Sequence, residues 1–161
     1  MSSLLPLRDK IVLSLIAGVL GTLVMYSVGI PLFLLNVAKA IYLIFTIEMF
    51  VTPDIARTLP GLLTGAVTGM IVGGTLALPL KLIIEWTGAG WLWVKALAYA
   101  AVAWFAAVGI LRQLLNVSPY LSTDLRTTLI LLLQSVIWVL ATTFFFLKLG
   151  GGRSLLEKGG R

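Results

Sequence analysis

Apolar runs dominate this chain, and its charges fall between them. No charged residue occurs from Ile11 to Ala38 or from Thr58 to Leu80. A third run begins near Trp91, admits Lys95 close to its start and ends at Leu111; a fourth goes from Thr127 to Leu147. About 20 apolar residues carry a helix across the ~30 Å hydrocarbon core of a bilayer. Each run therefore predicts a transmembrane helix, over about 11–32, 59–84, 91–112 and 126–148.

The segment Pro31–Val51, PLFLLNVAKAIYLIFTIEMFV, is long enough for a fifth span. As a span it would set Lys39 near the bilayer centre, at a cost of ~2.5–3.5 kcal/mol. The Gly29-Ile30-Pro31 turn before it offers no polar group for an interface. The charges also discriminate. With four spans one face holds Arg8, Lys10, Lys81, Lys95, Lys148, Arg153, Lys158 and Arg161, and the other holds Lys39, Arg57, Arg112 and Arg126. With five spans the faces are nearly balanced. Lys and Arg concentrate on cytoplasmic loops. The expectation is four spans, both termini cytoplasmic, and a helix over about 36–52 in or near the outer interface. Its apolar residues do not share one face, so protein contacts must cover part of it. Arg8, Lys10 and Ala38-Lys39-Ala40 resemble parts of a signal peptide. The apolar run between them exceeds the 7–15 residues of such a peptide's core, so it is read as a retained first span.

Composition supports this reading. Of 161 residues, 60% are hydrophobic and 11% charged, against about 25% charged in soluble domains. Too few polar residues remain to cover a soluble globule of this size. The expected fold is an all-α, polytopic bundle of four transmembrane helices. It forms one domain over 1–149, followed by a flexible cytoplasmic tail, 150–161.

Missing residue types narrow the chemistry. There is no Cys and no His, which removes thiolate chemistry, the usual metal ligands and the commonest general base. The six carboxylates are Asp9, Glu48, Asp54, Glu85, Asp124 and Glu157, and no two sit three or four apart. No enzymatic activity, metal or cofactor is expected. The net charge of +6 comes from cations scattered singly at the ends of apolar runs. That pattern meets anionic headgroups rather than nucleic acid. The expected partners are membrane lipids and a second copy or another membrane protein.

In the second span, Gly61, Gly65, Gly69 and Gly73 recur every fourth residue, and Ala77 extends the row. That spacing puts them on one helix face, where another backbone can approach closely. The partner is the first span (Ser14, Gly18 and Thr22, or Ala17 and Gly21), the third (Ala96 and Ala100, or Ala103 and Ala107), or a second copy. The second and third spans form a tight hairpin around Thr87–Gly90, flanked by Trp86, Trp91 and Trp93 as an interfacial belt. Gln134 is the main polar group inside a span and should seek a partner across helices. Thr64, Thr68 and Thr75 should bond to carbonyls of their own helix. Lys39, Glu48, Asp54, Arg57, Arg112, Asp124 and Arg126 fall on one face and form a candidate polar outer site, either a headgroup-level rim or a convergent pocket. Asp124 also stands where the fourth helix needs an N-cap.

The layout resembles a group of short, uncharacterised four-span membrane proteins of Gram-positive spore-forming bacteria (YqhR-like). The resemblance rests on the semi-apolar segment Asn36–Val51, the glycine-rich Gly61–Gly74, the stretch KLIIEWTGAGWLWVKALAYAAVAW, Ser118-Pro119, and Asp124 with Thr127. It differs from that group in carrying Gln134, and no His, in the last span. The resemblance implies a bacterial cytoplasmic membrane and assigns no activity. The leading functional expectation is a non-enzymatic accessory or scaffold protein acting through helix packing. The alternative is a small channel or transporter, including one that handles lipid.

Overall fold

A computed structural model of the chain describes residues 10–88, 90–115 and 124–151. Arg8, Ser118-Pro119, Ser122-Thr123 and the tail beyond Gly151 lie outside the described residues. The fold is all-α. Helix α1 covers Lys10–Leu34, α2 Tyr42–Glu48, α3 Pro53–Ala56 and α4 Leu59–Thr87. Helix α5, Leu92–Trp104, continues through a π-helical segment, Phe105–Leu111, into α6, Arg112–Leu115. Helix α7, Leu125–Phe146, ends in a second π-helical stretch, Leu147–Gly151. Four helices are long and apolar enough to cross a membrane: Lys10–Leu34, Leu59–Thr87, Leu92–Leu115 and Leu125–Leu149. They coincide with the four expected spans to within three residues at each end. The chain is a multi-pass membrane protein by the length and composition of these helices.

Packing follows the small residues. Helix α1 is central and packs on α4 along one side and on α7 along the other, while α5 packs on α7. The order around the bundle is therefore α4–α1–α7–α5, an arc rather than a closed square. On α1, Gly18 lies against the Gly73 carbonyl, Gly74 and Ala77 of α4, and Gly21 lies against Thr142 and Trp138 of α7. A Cβ on Gly29 would collide with the Gln134 amide of α7. Small residues on two faces let α1 approach both neighbours.

The glycine row of α4 turns entirely toward partners within the chain. Gly61 faces the Ile55 and Ala56 carbonyls, Gly65 faces Leu43 and Ile47 of α2, Gly69 faces the Tyr26 hydroxyl, and Gly73 faces Thr22 and the Trp138 indole. Of the suggested first-span partners, the face with Gly18 and Thr22 meets the row, and Gly21 turns to α7. The third span does not meet it. Ala96 and Ala100 are fully buried on a helix whose main partner is α7. The α4–α5 turn is tight. Gly88 takes φ 75° and Trp91 φ 56°, and Lys95 Nζ donates to the Thr87 and Gly88 carbonyls at 2.9 and 3.0 Å. Those carbonyls end α4 and have no partner within the helix.

The region after α1 departs most from expectation. Helix α1 runs through Pro31 and ends at Leu34, two residues beyond the expected end. It stops at a Schellman motif. Asn36 takes φ 55°, its N–H donates to the Phe33 carbonyl at 3.0 Å, and the Val37 N–H donates to the Leu32 carbonyl at 2.9 Å. Residues 36–52 do not form one interfacial helix. Helix α2 is only seven residues long and is buried on every side: Leu43, Ile44, Phe45, Thr46, Ile47 and Glu48 are all buried. An interfacial helix presents one apolar face, whereas this segment is apolar all round, which suits burial inside a bundle.

At the other ends, Asp124 caps α7 by accepting from the Thr127 N–H, and Thr58 caps α4 by accepting from the Gly61 N–H. Lys81 pairs with Glu85 at 2.9 Å as the spacing of four suggests, and Lys10 joins at 3.5 Å, tying the start of α1 to the end of α4. Thr64 and Thr75 bond to carbonyls of their own helix.

Replacing Gly69 by Leu is expected to displace Tyr26 and destabilise the fold by about 1–3 kcal/mol through overpacking. Val67→Leu, on the exposed face of the same helix, should be neutral. Thermal unfolding in detergent compares them, and equal melting temperatures would refute the assigned packing.

Candidate functional site

Two sites emerge, a polar interlock at the Asp124 end of the bundle and a cleft below it. The interlock is built on the non-helical stretch between α1 and α2. The Lys39 N–H donates to Thr127 Oγ1 at 2.9 Å, and the Tyr42 N–H donates to Gln134 Oε1 at 3.0 Å. Seven residues of α7 rise ~10 Å at 1.5 Å each, and three extended residues span a similar ~10 Å. The stretch therefore descends beside α7 for two turns, and α2 begins there, inside the bundle. Gln134 caps α2 from another helix, because Ile41, at the N-cap position, has no side-chain acceptor. Gln134 is 1% exposed, and its partner is the first amide of a buried helix.

The candidate outer residues divide. Lys39 Nζ lies 3.7 Å from Asp124 Oδ2, Thr127 Oγ1 donates to the same carboxylate oxygen at 2.7 Å, and Arg57 donates to the Lys39 carbonyl at 3.5 Å. These residues hold the descending stretch in place. Glu48 is buried on α2. Asp54, Arg112 and Arg126 make no ion pair among the described residues. The seven do not converge on one pocket, and no group of three potential metal ligands forms among the described residues. The Asp124 carboxyl is held below the usual carboxylate range, first by the Thr127 hydroxyl, with the Thr127 and Arg126 amides and the Lys39 charge adding to the effect.

The cleft has a volume of about 320 Å³ and is open on one side. It lies where the arc of helices fails to close, between α4 and α5. Gly69, Val72, Gly73 and Leu76 line it from α4, and Ala103, Ala107 and Leu111 line it from the third span. Thr22, Met25 and Tyr26 of α1 and Ser135 and Trp138 of α7 form its back. Tyr42, Phe45, Thr46, Met49 and Phe50 cover it toward the Asp124 end. Toward the Lys148 end it is shut: Tyr99 Oη donates to the Leu76 carbonyl at 2.7 Å, and its ring lies 6.4 Å from that of Trp138.

Every hydroxyl on the cleft wall is engaged. Thr22 donates to the Gly18 carbonyl at 2.9 Å, Tyr26 to the Gly65 carbonyl at 3.4 Å and Thr46 to the Tyr42 carbonyl at 2.7 Å. The Tyr42 and Ser135 hydroxyls bond to each other at 2.7 Å. The wall is apolar in effect and suits an occupant that brings no hydrogen bonds.

Sequence reasoning selected Gly69, Gly73 and Gln134 but missed the cleft. The one available signal was two small-residue rows at spacing four, Gly69–Gly73 and Ala103–Ala107, on neighbouring helices that are not pressed together. Tyr26, Tyr42, Ser135 and Trp138 carried no pattern. No protein-family model, no curated protein and no solved structure matches the chain.

Two measurements test the interlock. Gln134→Leu leaves the Tyr42 N–H unpaired in the core and is expected to cost about 1–3 kcal/mol, read as a lower melting temperature in detergent. Asp124, whose pKa is lowered by folding, stabilises the protein above the ordinary carboxylate range. That contribution is lost as pH falls through its depressed value. Wild type should melt above Asp124→Asn at pH 7, and the gap should close in acid. A gap independent of pH would refute the role of the charge.

Proposed function

We propose that this chain is a non-enzymatic, multi-pass protein of the bacterial cytoplasmic membrane that holds a lipid chain in the cleft between α4 and α5. The observation that carries the reading is the cleft itself. It is a laterally open volume of about 320 Å³, within the size range of ligand pockets, whose wall hydroxyls are all engaged. Inside a bilayer no water competes for such a space, and the neighbouring molecules are acyl chains.

The bundle's other features agree with this role. The glycine row makes its contacts inside the chain, so it supports the fold and leaves no row for docking a partner. The closure at Tyr99 and Trp138 argues for a holding site over a through-pore. The resemblance to the YqhR-like group supports the bacterial cytoplasmic membrane. Eight cations against four across the sequence support cytoplasmic termini. Of the two expectations from sequence, the lipid-handling one is preferred to the scaffold.

Native mass spectrometry after extraction in mild detergent tests the reading and also counts subunits. The wild type is expected to retain one lipid per chain. Ala103→Trp, which fills the cleft, should lose it while keeping the same oligomeric state and melting temperature within a few degrees. A folded Ala103→Trp variant that retains lipid as the wild type does would overturn the proposal.

A further inference from the structure

The cleft has a direction. Its wall on the third span runs from Ala103 to Leu111, eight residues or ~12 Å of helix. One leaflet of hydrocarbon is ~15 Å deep, half the ~30 Å core. On the Lys148 side the cleft ends at the Tyr99–Leu76 bond and Trp138, near the middle of α4 and α7. On the Asp124 side it reaches Phe50 and Leu111, both exposed. A chain lying in it would therefore enter from the Asp124 side and end near the bilayer centre.

The residue after the last lining position of that wall is a cation. Arg112 directly follows Leu111 and belongs to the adjacent stripe of the helix, with Trp104 and Val108 below it. Val108 is buried against Phe45 and Leu131, and the Trp104 indole donates to the Thr128 carbonyl of α7 at 3.3 Å. The Arg112 N–H donates to the carbonyl of Ala107, a cleft residue, so the π-helical segment fixes its backbone to the cleft wall. Among the described residues its buried Nε has no hydrogen-bond partner. A buried guanidinium N–H without an acceptor is costly, and Arg favours phosphate because its fork of donors matches phosphate oxygens.

Resting on the lipid reading above, we infer that the occupant is a lipid of the leaflet on the Asp124 side, with an anionic phosphodiester headgroup held by Arg112. Lys39 is already paired with Asp124, whereas Arg112 makes no ion pair among the described residues and adjoins the lining residue Leu111. One acyl chain lies between Gly69–Gly73 and Ala103–Ala107, and the phosphate sits at the level of the Leu111–Arg112 step.

The test is photo-crosslinking in vesicles that carry a diazirine-acyl lipid in one leaflet only. The probes are phosphatidylglycerol and phosphatidylcholine, and crosslinked residues are mapped by mass spectrometry. Because the chain has no Cys, a single Arg126→Cys substitution reports its orientation to an impermeant maleimide. Phosphatidylglycerol in the Asp124-side leaflet is expected to label the Ala103–Leu111 wall about tenfold more than phosphatidylcholine. Arg112→Gln should bring the two lipids to parity while both still label the wall. Soluble glycerol phosphate should not compete. A preference that survives Arg112→Gln, or equal labelling from both leaflets, overturns the inference and leaves the lipid reading standing. Unchanged wall labelling in both Ala107→Trp and the mouth variant Leu111→Trp overturns the lipid reading as well. Two variants are used so that misfolding of one does not decide the outcome.

Discussion

A peptide segment that enters a bilayer without helical hydrogen bonds carries amide groups into a medium that cannot satisfy them. The stretch between α1 and α2 runs without helical bonds beside α7, and two α7 side chains at matched heights satisfy two of its amides. Thr127 accepts from the Lys39 amide and Gln134 from the Tyr42 amide. Their separation along α7 equals the reach of three extended residues, so both bonds form at once. Once they form, α2 starts inside the bundle and its apolar faces all find partners. Gly65 gives α2 its place against α4, and Phe45 packs on Val108 and Leu131. The Lys39–Asp124 pair and the Arg57 bond hold the top of the same stretch.

The buried segment also explains the shape of the bundle. Four helices that met only one another could close into a square. Here α2 occupies the Asp124 end between them, and α4 turns its small residues to α1 and α2. Helix α5 attaches to α7 and meets α4 through the turn and the Tyr99–Leu76 bond. The opening that remains is set by geometry, with small residues on both walls at its middle. Gly69 and Gly73 on one side and Ala103 and Ala107 on the other keep it wide.

The chemistry of the cleft follows from the same economy of polar groups. Hydroxyls that would otherwise specify a polar ligand are tied to backbone carbonyls or to each other. What remains is an apolar trough with one closed end. The π-helical segment Phe105–Leu111 carries part of its wall and ends at Arg112, whose N–H bonds the Ala107 carbonyl. The anionic-lipid reading proposed above rests on these two features together, the apolar trough and the arginine that follows its last lining residue on the third span.

Much of this was legible in the residues. The four apolar runs determine the four long helices, because a helix of about 20 apolar residues is the one local solution that hides its backbone in hydrocarbon. The spacing of Gly61, Gly65, Gly69 and Gly73 determines that some backbone or side chain approaches α4 closely, since four residues return to one helix face. Asp124 three residues before Thr127 determines the cap. Which partner meets the glycines, the plunge of residues 37–42 beside α7, the role of Gln134 as a cap for another helix, and the cleft were decided only by the tertiary structure. Each depends on which helices are neighbours and at what height. A short apolar segment such as 42–48 has the same composition whether it lies on a membrane or inside a bundle, and only the acceptors placed beside its first amides choose between them.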